Sequence, residues 1–171
     1  MFNKLSEKEI LKELDENIRP KKITNVELFN DFYSYFLSTY TDVEITPDIN
    51  IFSYENAIKE NKYIEENYPD IADFLFIIGT TGQGDSWFIN KKNGNILFYD
   101  HNQGKYSGHD SFIDLNISFI EFLQMAFLYR DLEKLLDDQD DEIEDQQINN
   151  FKETVNSIKS DLYQLYPFQY F

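Results

Sequence analysis

The segment FLFIIGTTGQGDSWFINKKNGNILFYD, residues 74–100, carries the strongest β-sheet signals in the chain. It begins with an unbroken apolar run, which is typical of a strand covered on both faces. Glycines follow at 79, 82 and 84, but they lead into the β-rich triplet Trp87-Phe88-Ile89 and not into a helix. The pattern therefore predicts a tight turn between two antiparallel strands and not a phosphate-binding loop.

The dipeptide Asn93-Gly94 predicts that the second strand turns into a third. A type I′ turn needs positive φ at both of its central residues, and Asn-Gly tolerates this best. A loop of only these residues would pair Ile89 with Phe98 and Trp87 with Asp100. Because side chains alternate along a strand, one face of the hairpin is predicted to carry Trp87, Ile89, Ile96 and Phe98. The other face is predicted to carry Phe88, Leu97 and Tyr99.

Capping-box patterns predict where helices begin, because a Ser or Thr and the Glu after it exchange hydrogen bonds with each other's backbone amides. They are Ser6 with Glu9, Thr24 with Glu27, and Ser118 with Glu121. The second of them opens a predicted helix over residues 28–40 with an aromatic stripe. A further helix is predicted from the N-cap Ser53 to the residues before Pro69.

The C-terminal part of the chain is predicted to be helical with an acidic interruption. A long helix runs from Ser118 toward residue 136 and meets the run 137–142, where like charges repel. We expect an acidic linker over 131–147 and a C-terminal helix over 148–166, either docked on the domain or forming a seam for a partner. With an N-terminal helix within 1–20 and a core of about 23–130, the whole chain of 171 residues is predicted to be one domain.

Composition excludes several classes of protein. Cysteine is absent, so disulfides and thiol chemistry are excluded. The formal net charge is −17, from 15 Lys and Arg against 32 Asp and Glu, which argues against a nucleic-acid ligand. No apolar run approaches the roughly 20 residues that span a bilayer, and we expect no membrane association and a cytoplasmic location.

Two Asp/His pairs flank a glycine-containing loop: Asp100 with His101, and His109 with Asp110. They could converge on a divalent metal, but exposed loop positions explain them equally well, and no metal or cofactor is predicted. The acidic run lacks the glycine and glutamate positions of an EF-hand loop. Without a cysteine nucleophile or a Gly-x-Ser-x-Gly elbow, the chain is predicted not to be an enzyme.

A particular order of elements runs through residues 23–129: an aromatic helix, a strand near 49–52, a short helix, the sheet segment and a last helix. A glycine-aspartate turn precedes the aromatic strand, and Ser-x-x-Glu-Phe-Leu opens the last helix at Ser118. In these features the chain resembles the SUKH superfamily, which includes the yeast regulator of cell-wall glucan synthesis and many bacterial immunity proteins. Ser38-Thr39-Tyr40-Thr41 stands where many members carry Asn-Gly-Gly.

The resemblance implies an α+β fold, an antiparallel β-sheet meander packed by helices, here with an extra N-terminal helix and a C-terminal acidic linker plus helix. It implies a protein-binding module, and first of all an immunity protein that neutralises a polymorphic toxin, with a nuclease as the expected target. An acidic surface would steer onto a basic substrate-binding cleft and occlude it. Two alternatives stay open: a regulatory scaffold for an endogenous partner, and a small metal-dependent hydrolase. We expect a monomer or a weak homodimer.

Exposure combined with charge or aromatic character selects the candidate partner-binding residues. They lie in the glycine turn, in the loop 100–110 and in the acidic segment: Asp85 and Trp87; Asp100, His101, Tyr106, His109 and Asp110; Asp137, Asp138, Asp140 and Asp141. Asp85 and Trp87 are expected at an exposed rim, where a carboxylate beside an aromatic ring would anchor a partner.

Overall fold

The structure is a computed structural model that describes residues 1–23, 31–138 and 143–171. Its strands are β1 (Val43–Thr46), β2 (Ile49–Ile51), β3 (Leu75–Thr80), β4 (Ser86–Asn90), β5 (Ile96–Tyr99) and β6 (Ile113–Asp114). They form one antiparallel sheet in which each strand pairs with its neighbour in sequence, in the order β1-β2-β3-β4-β5-β6. The predicted α+β class and the antiparallel meander are confirmed.

Helices in the described part of the chain cover both faces of this sheet. They are α1 (Glu7–Lys12), α2 (Asp31–Thr39), α3 (Tyr54–Asn67), α4 (Pro69–Ala72), α5 (Phe119–Asp138), α6 (Asp145–Asn156) and α7 (Leu162–Leu165). None of them is both long and apolar enough to cross a membrane.

The two faces of the sheet bury two separate clusters of side chains. The larger cluster includes Trp87, Ile89, Ile96 and Phe98 and packs against α2, α5 and α6. The smaller one includes Phe88, Leu97 and Tyr99 and lies under α4 and the loop that leads to Phe112. Both sets match the predicted faces, and β3 is buried on both sides as its apolar run predicts.

The predicted register of the β4–β5 hairpin is wrong by two residues. Trp87 pairs with Phe98 and Ile89 with Ile96, so the loop consists of residues 91–94 and not of Asn93-Gly94 alone. Because the shift is even, every side chain keeps its predicted face.

The longer loop has a local cause in Asn90. Its Oδ1 accepts hydrogen bonds from Lys92 N at 2.8 Å and from Asn93 N at 3.3 Å, and its carbonyl accepts from Gly94 N at 2.8 Å. These bonds form a turn that begins at Asn90, ahead of the Asn93-Gly94 pair. Gly94 has a φ of 75°, whereas Asn93 is not among the positive-φ residues, so the turn is not type I′.

The predicted helix starts are confirmed wherever the structure describes them. Ser6 and Glu9 form a capping box at α1, and Ser118 N and Oγ both donate to Glu121 Oε2 at 2.7 Å. Ser53 caps α3, which ends at Asn67, before Pro69. The pair Thr24 and Glu27 lies outside the described residues.

The C-terminal boundaries differ from the prediction. Helix α5 continues through Asp138, and α6 already begins at Asp145, so most of the predicted linker 131–147 is helical. The single helix predicted over 148–166 is instead α6 and α7, because Asp161 takes a left-handed φ of 63° between them. Phe151, Val155 and Leu162 are buried in the larger cluster, so these helices dock on the domain. The predicted N-terminal helix is limited to α1.

Strands β1 and β6 were not predicted from the sequence. Strand β1 follows α2 and pairs with β2, with an irregular register between Glu44 and Thr46. The tight turn between β1 and β2 contains Asp48, whose backbone carbonyl accepts the indole N–H of Trp87 on β4.

Candidate functional site

A buried carboxylate, Asp85, holds the start of the loop 100–110 against the turn between β3 and β4. Its side chain is 6% exposed, and its Oδ1 lies 2.6 Å from His101 Nδ1 and 3.0 Å from the His101 backbone nitrogen. Its Oδ2 accepts a hydrogen bond from Thr81 Oγ1 at 2.9 Å. Thr81 in turn accepts from the backbone nitrogens of Gln83 and Asp85, which fixes the turn itself.

The charge state of Asp85 follows from these contacts. Burial alone would raise its pKa, but the hydrogen bonds from the His101 side chain and backbone and from Thr81 outweigh burial and hold the pKa below its usual range. An ionised carboxylate can only accept, so His101 Nδ1 carries the proton that they share. The imidazole is therefore oriented with its other nitrogen away from Asp85.

Asp100, His101, His109 and Asp110, whose convergence on a metal was the less favoured alternative, do not form one group of metal ligands among the described residues. The His109 ring stacks on Phe74, with a centroid separation of 3.5 Å. In the part of the chain that the structure describes, the group with suitable ligand atoms within 4.8 Å of one another is Asp85, Asp100 and His101. The oxygens of Asp85 already accept hydrogen bonds, so the arrangement serves as a latch between turn and loop.

A strip of acidic residues connects the loop 100–110 with the acidic end of α5, which the sequence analysis had selected as separate candidate regions. Asp85 and Asp100 meet at the latch, and the charge of Asp85 reaches Asp48 in the β1–β2 turn. Asp48 in turn lies near Glu133 on α5, which is also close to Asp137 one helical turn further on. We call these five residues, Asp100, Asp85, Asp48, Glu133 and Asp137, the acidic strip.

The environment of the strip disfavours the ionised form of two of its carboxylates. Desolvation, and then the charge of Asp85, raises the pKa of Asp48. Desolvation also raises the pKa of Glu133; the hydrogen bond from Tyr170 lowers it in part, and the charges of Asp48 and Asp137 add smaller increases. Within the described residues, no Lys or Arg pairs with any carboxylate of the strip; the ion pairs are Lys21 with Glu55, Lys62 with Glu66, and Arg130 with Glu13 and Asp131.

The expectation that Trp87 and Asp85 form an exposed rim is wrong. Trp87 is completely buried, packed against Phe98 and Phe122, and donates its indole N–H to the carbonyl of Asp48 at 2.8 Å. Asp85 is buried within the latch. Strand β4 lies between β3 and β5 and is covered on both faces, so neither side chain can contact a partner directly.

The other candidate residues differ in exposure. The side chains of Asp100 and His101 are a little under half exposed. Tyr106 is half-buried, and its hydroxyl lies 3.0 Å from Ser86 Oγ. The remaining candidates that the structure describes are exposed: His109, Asp110, Asp137 and Asp138. Asp140 and Asp141 lie outside the described residues. The loop and the end of α5 therefore remain available as a binding surface.

Sequence reasoning missed Asp48 and Glu133, the residues that connect the strip. The alternation Val43-Glu44-Ile45-Thr46 before Pro47-Asp48 is a hairpin signal that could have located Asp48 in a turn. Glu133 had no such signal, because its proximity to Asp48 depends on how α5 crosses the sheet.

A cleft of about 510 Å³ lies elsewhere, between the N-terminal segment, α5 and α6, with Phe2, Asp131 and Asn150 among its lining residues. Asn150 Oδ1 accepts a hydrogen bond from Phe2 N at 2.8 Å, and Asp131 contacts Arg130. These two polar side chains are thus engaged within the chain.

Comparison of the chain with models of protein families, with curated proteins and with solved structures gave no significant match. Its class is therefore described by its own structure: an α+β protein with a six-stranded antiparallel meander and an acidic strip in which Asp85 is buried and the other four carboxylates are at least partly exposed.

Proposed function

We propose that this protein is a non-enzymatic binding module that docks a basic protein partner on its acidic strip, and that it acts as an immunity protein against a nuclease toxin. The observation that carries the proposal is the strip: neighbouring carboxylates, two with pKa values raised by desolvation and by other carboxylates nearby, and none paired with Lys or Arg among the described residues. The resemblance to the SUKH superfamily supports the biological role.

The physical reason is charge complementarity. A partner that supplies cations to the strip relieves the repulsion among its carboxylates, whereas a polyanion such as nucleic acid is repelled by a net charge of −17. A nuclease must present a basic surface to its substrate, so the strip is suited to covering that surface. Long-range attraction then raises the association rate, and that gain falls as salt screens it.

Partner capture tests this proposal. Tagged protein is incubated with lysate from its own source at about 50 mM and about 500 mM salt, where the screening length falls several-fold. We expect a basic protein with a nuclease domain that is released at high salt. The captured protein is then purified, its nuclease activity is measured with and without this chain, and the association rate is followed against salt. Activity that is not inhibited contradicts the immunity role.

A pair of variants with equal charge localises the binding. Asp100→Asn, Asp137→Asn and Asp138→Asn together neutralise the exposed ends of the strip and its neighbour. Glu7→Gln, Glu65→Gln and Glu153→Gln remove the same number of charges from exposed positions outside the strip. We expect the first triple variant to lower the association rate about tenfold and the second to lower it far less. Equal effects would show that net charge, and not the strip, governs binding.

A neutral endogenous protein that is captured at both salt concentrations would instead favour the regulatory scaffold. The order of genes separates the same alternatives, because an immunity gene is expected beside its toxin gene.

A further inference from the structure

The cleft between the N-terminal segment, α5 and α6 binds a stretch of the chain's own backbone through side-chain amides. Residues of the segment 1–5 form one wall of the cleft and have no regular secondary structure. Asn150 on α6 accepts a hydrogen bond from Phe2 N at 2.8 Å. Gln124 on α5 donates one to the Leu5 carbonyl, also at 2.8 Å. A side-chain amide has a donor and an acceptor like a peptide group, so the two helices hold this segment as a neighbouring strand would.

The lining of the cleft keeps further polar atoms that these contacts leave free. Asn150 uses its Oδ1 for the N-terminal segment, and Gln147 uses its Oε1 to accept from Glu144 N at 3.0 Å. Both side chains therefore keep their NH₂ groups, which have no hydrogen-bond partner among the described residues. Asp131 accepts from the neighbouring arginine at 3.3 Å through Oδ1 alone. The engaged atoms orient these side chains, so the cleft presents two NH₂ donors and one carboxylate oxygen.

Apolar side chains form another part of the lining. Phe2, Leu5 and Leu135 belong to it. The Phe2 ring packs edge-on against the fully buried Phe151, with 5.1 Å between the centroids, which anchors this wall in the core. No Lys or Arg is among the lining residues that the structure describes. The volume of about 510 Å³ is typical of a ligand cleft. A suitable ligand is thus uncharged, has closely spaced hydrogen-bonding groups and carries an apolar side chain.

We propose that this cleft binds an extended segment of another protein, through the same pairing of side-chain amides with backbone groups that holds the N-terminal segment. Two peptide carbonyls of the bound segment accept hydrogen bonds from the NH₂ groups of Asn150 and Gln147. A peptide N–H donates to Asp131 Oδ2, and an apolar side chain packs against Leu5 and Leu135. None of these residues belongs to the acidic strip, so the inference does not depend on the immunity role.

Other classes of ligand fit the cleft less well. A helical segment has its backbone groups paired internally along most of its length and cannot offer them. An anion finds no lysine or arginine in the described lining. A divalent metal needs about six oxygen ligands, and no group of metal ligands among the described residues includes Asp131. A purely apolar ligand would bury the two NH₂ groups without partners, which is costly.

The test uses the full chain and the neutral peptide acetyl-Ala-Leu-Ala-Ala-N-methylamide, with the side-chain NH₂ signals in ¹H–¹⁵N NMR as the readout. We expect saturable shifts of the Asn150 and Gln147 signals. The control is the analogue with ester oxygens in place of its backbone N–H groups, which should bind at least about tenfold more weakly because it cannot donate. Absence of saturable shifts with the peptide overturns the proposal, and equal binding of the ester analogue overturns backbone recognition.

Matched variants place the peptide in the cleft. Asn150→Asp and Gln147→Glu each keep the oxygen that accepts a backbone N–H and lose the NH₂ group. Each should weaken binding of the peptide about tenfold. Asn149→Asp adds the same charge to the same helix at an exposed position outside the lining, and it should leave binding within about twofold. Equal weakening by all three variants would mean that charge governs binding, which overturns the site.

Two further measurements decide the class and the source of the ligand. Maltose, a neutral ligand with many hydroxyl groups, should not compete with the peptide, and tighter binding of maltose overturns a peptide ligand. The NH₂ signals of Asn150 and Gln147 should not change as the protein is diluted without peptide. If they do change, the bound segment comes from a second copy of this chain, and the proposal of another protein falls.

Discussion

At the scale of single residues, Asn61 replaces a missing strand partner. Its side chain is 5% exposed; it accepts a hydrogen bond from Ile77 N at 2.9 Å and donates one to the Ile77 carbonyl at 2.8 Å. Strand β2 pairs with β3 at Gly79 and Thr80 and ends before Ile77, so Asn61 takes the place of a strand there. Asparagine can supply both bonds, because its amide presents a donor and an acceptor like a peptide group.

Asn61→Ala should therefore lower the free energy of unfolding by about 2–4 kcal/mol, because two backbone groups of Ile77 lose their partners inside the protein. Urea denaturation measures this loss. The control is Asn67→Ala, whose exposed side chain bonds only to the Tyr63 carbonyl, with an expected loss of less than about 1 kcal/mol. Similar losses for both variants would contradict the role given to Asn61.

Glu133→Gln makes a second prediction at this scale, with a defined sign. Because the folded pKa of Glu133 is raised, its ionisation costs stability above that pKa and costs nothing below the unfolded value of about 4.3. The variant should thus be more stable than the native chain at pH 7, by less than about 1 kcal/mol since the group is partly solvated.

That gain should shrink as the pH falls and vanish near pH 4, where the native glutamate is protonated too. Denaturation at several pH values measures it. Glu65→Gln, at an exposed position with no ion pair among the described residues, is the control and should show no such trend. A Glu133→Gln variant that is less stable than the native chain at pH 7 would contradict the conclusion that ionisation of Glu133 destabilises the fold.

At the scale of elements, the β4–β5 loop offers a test of its own geometry. Gly94 has a φ of 75°, a value that costs a residue with a side chain about 1–2 kcal/mol. Gly94→Ala should lose about that amount. Asn93→Ala should lose less, because without a positive φ it removes only the exposed hydrogen bond of 2.9 Å from Asn95 N to Asn93 Oδ1. In a type I′ turn both positions need positive φ, so comparable losses in thermal unfolding would favour the two-residue loop.

What the sequence could predict at this scale depends on whether the signal is local. Ser6, Ser53 and Ser118 cap helices through neighbours three residues away, and the alternation in β4 and β5 determines which face each side chain takes. The hairpin register was missed because the Asn90 side chain competes with Asn93-Gly94 for the turn.

The candidate site was only partly predictable, because it depends on distant segments. Asp100 and His101 were selected from their own neighbourhood, and their partner Asp85 was selected too, although as an exposed residue. Burial of Trp87 followed from contacts with Phe122 and Tyr166, far along the chain. Asp48 and Glu133 are neighbours only because the β1–β2 turn and α5 meet in the fold, which no local pattern records.

At the scale of the whole molecule, charge opposes folding. A net charge of −17 on 171 residues makes the folded chain repel itself, and within the described residues few carboxylates have a Lys or Arg partner. Raising NaCl from about 10 mM to about 150 mM shortens the screening length from about 30 Å to about 8 Å. The melting temperature should therefore rise over this range.

Scanning calorimetry at constant pH measures the effect of salt. The variant Asp100→Asn, Asp137→Asn, Asp138→Asn has fewer repelling charges, so its melting temperature should depend less on salt. A melting temperature that falls as salt is added would mean that attractive ion pairs outweigh the repulsion.

The order of the strands also has a consequence for biosynthesis. Because each strand pairs with the one made just before it, the whole meander can assemble while the ribosome is still adding residues. Its larger apolar face, however, packs against α5 and α6, which are synthesised after all six strands. Nascent chains that end before Phe119 and carry a linker long enough to clear the exit tunnel should present Trp87, Ile89, Ile96 and Phe98 to the surroundings. A chaperone that recognises such surfaces should bind these chains and not chains that also contain α5 and α6.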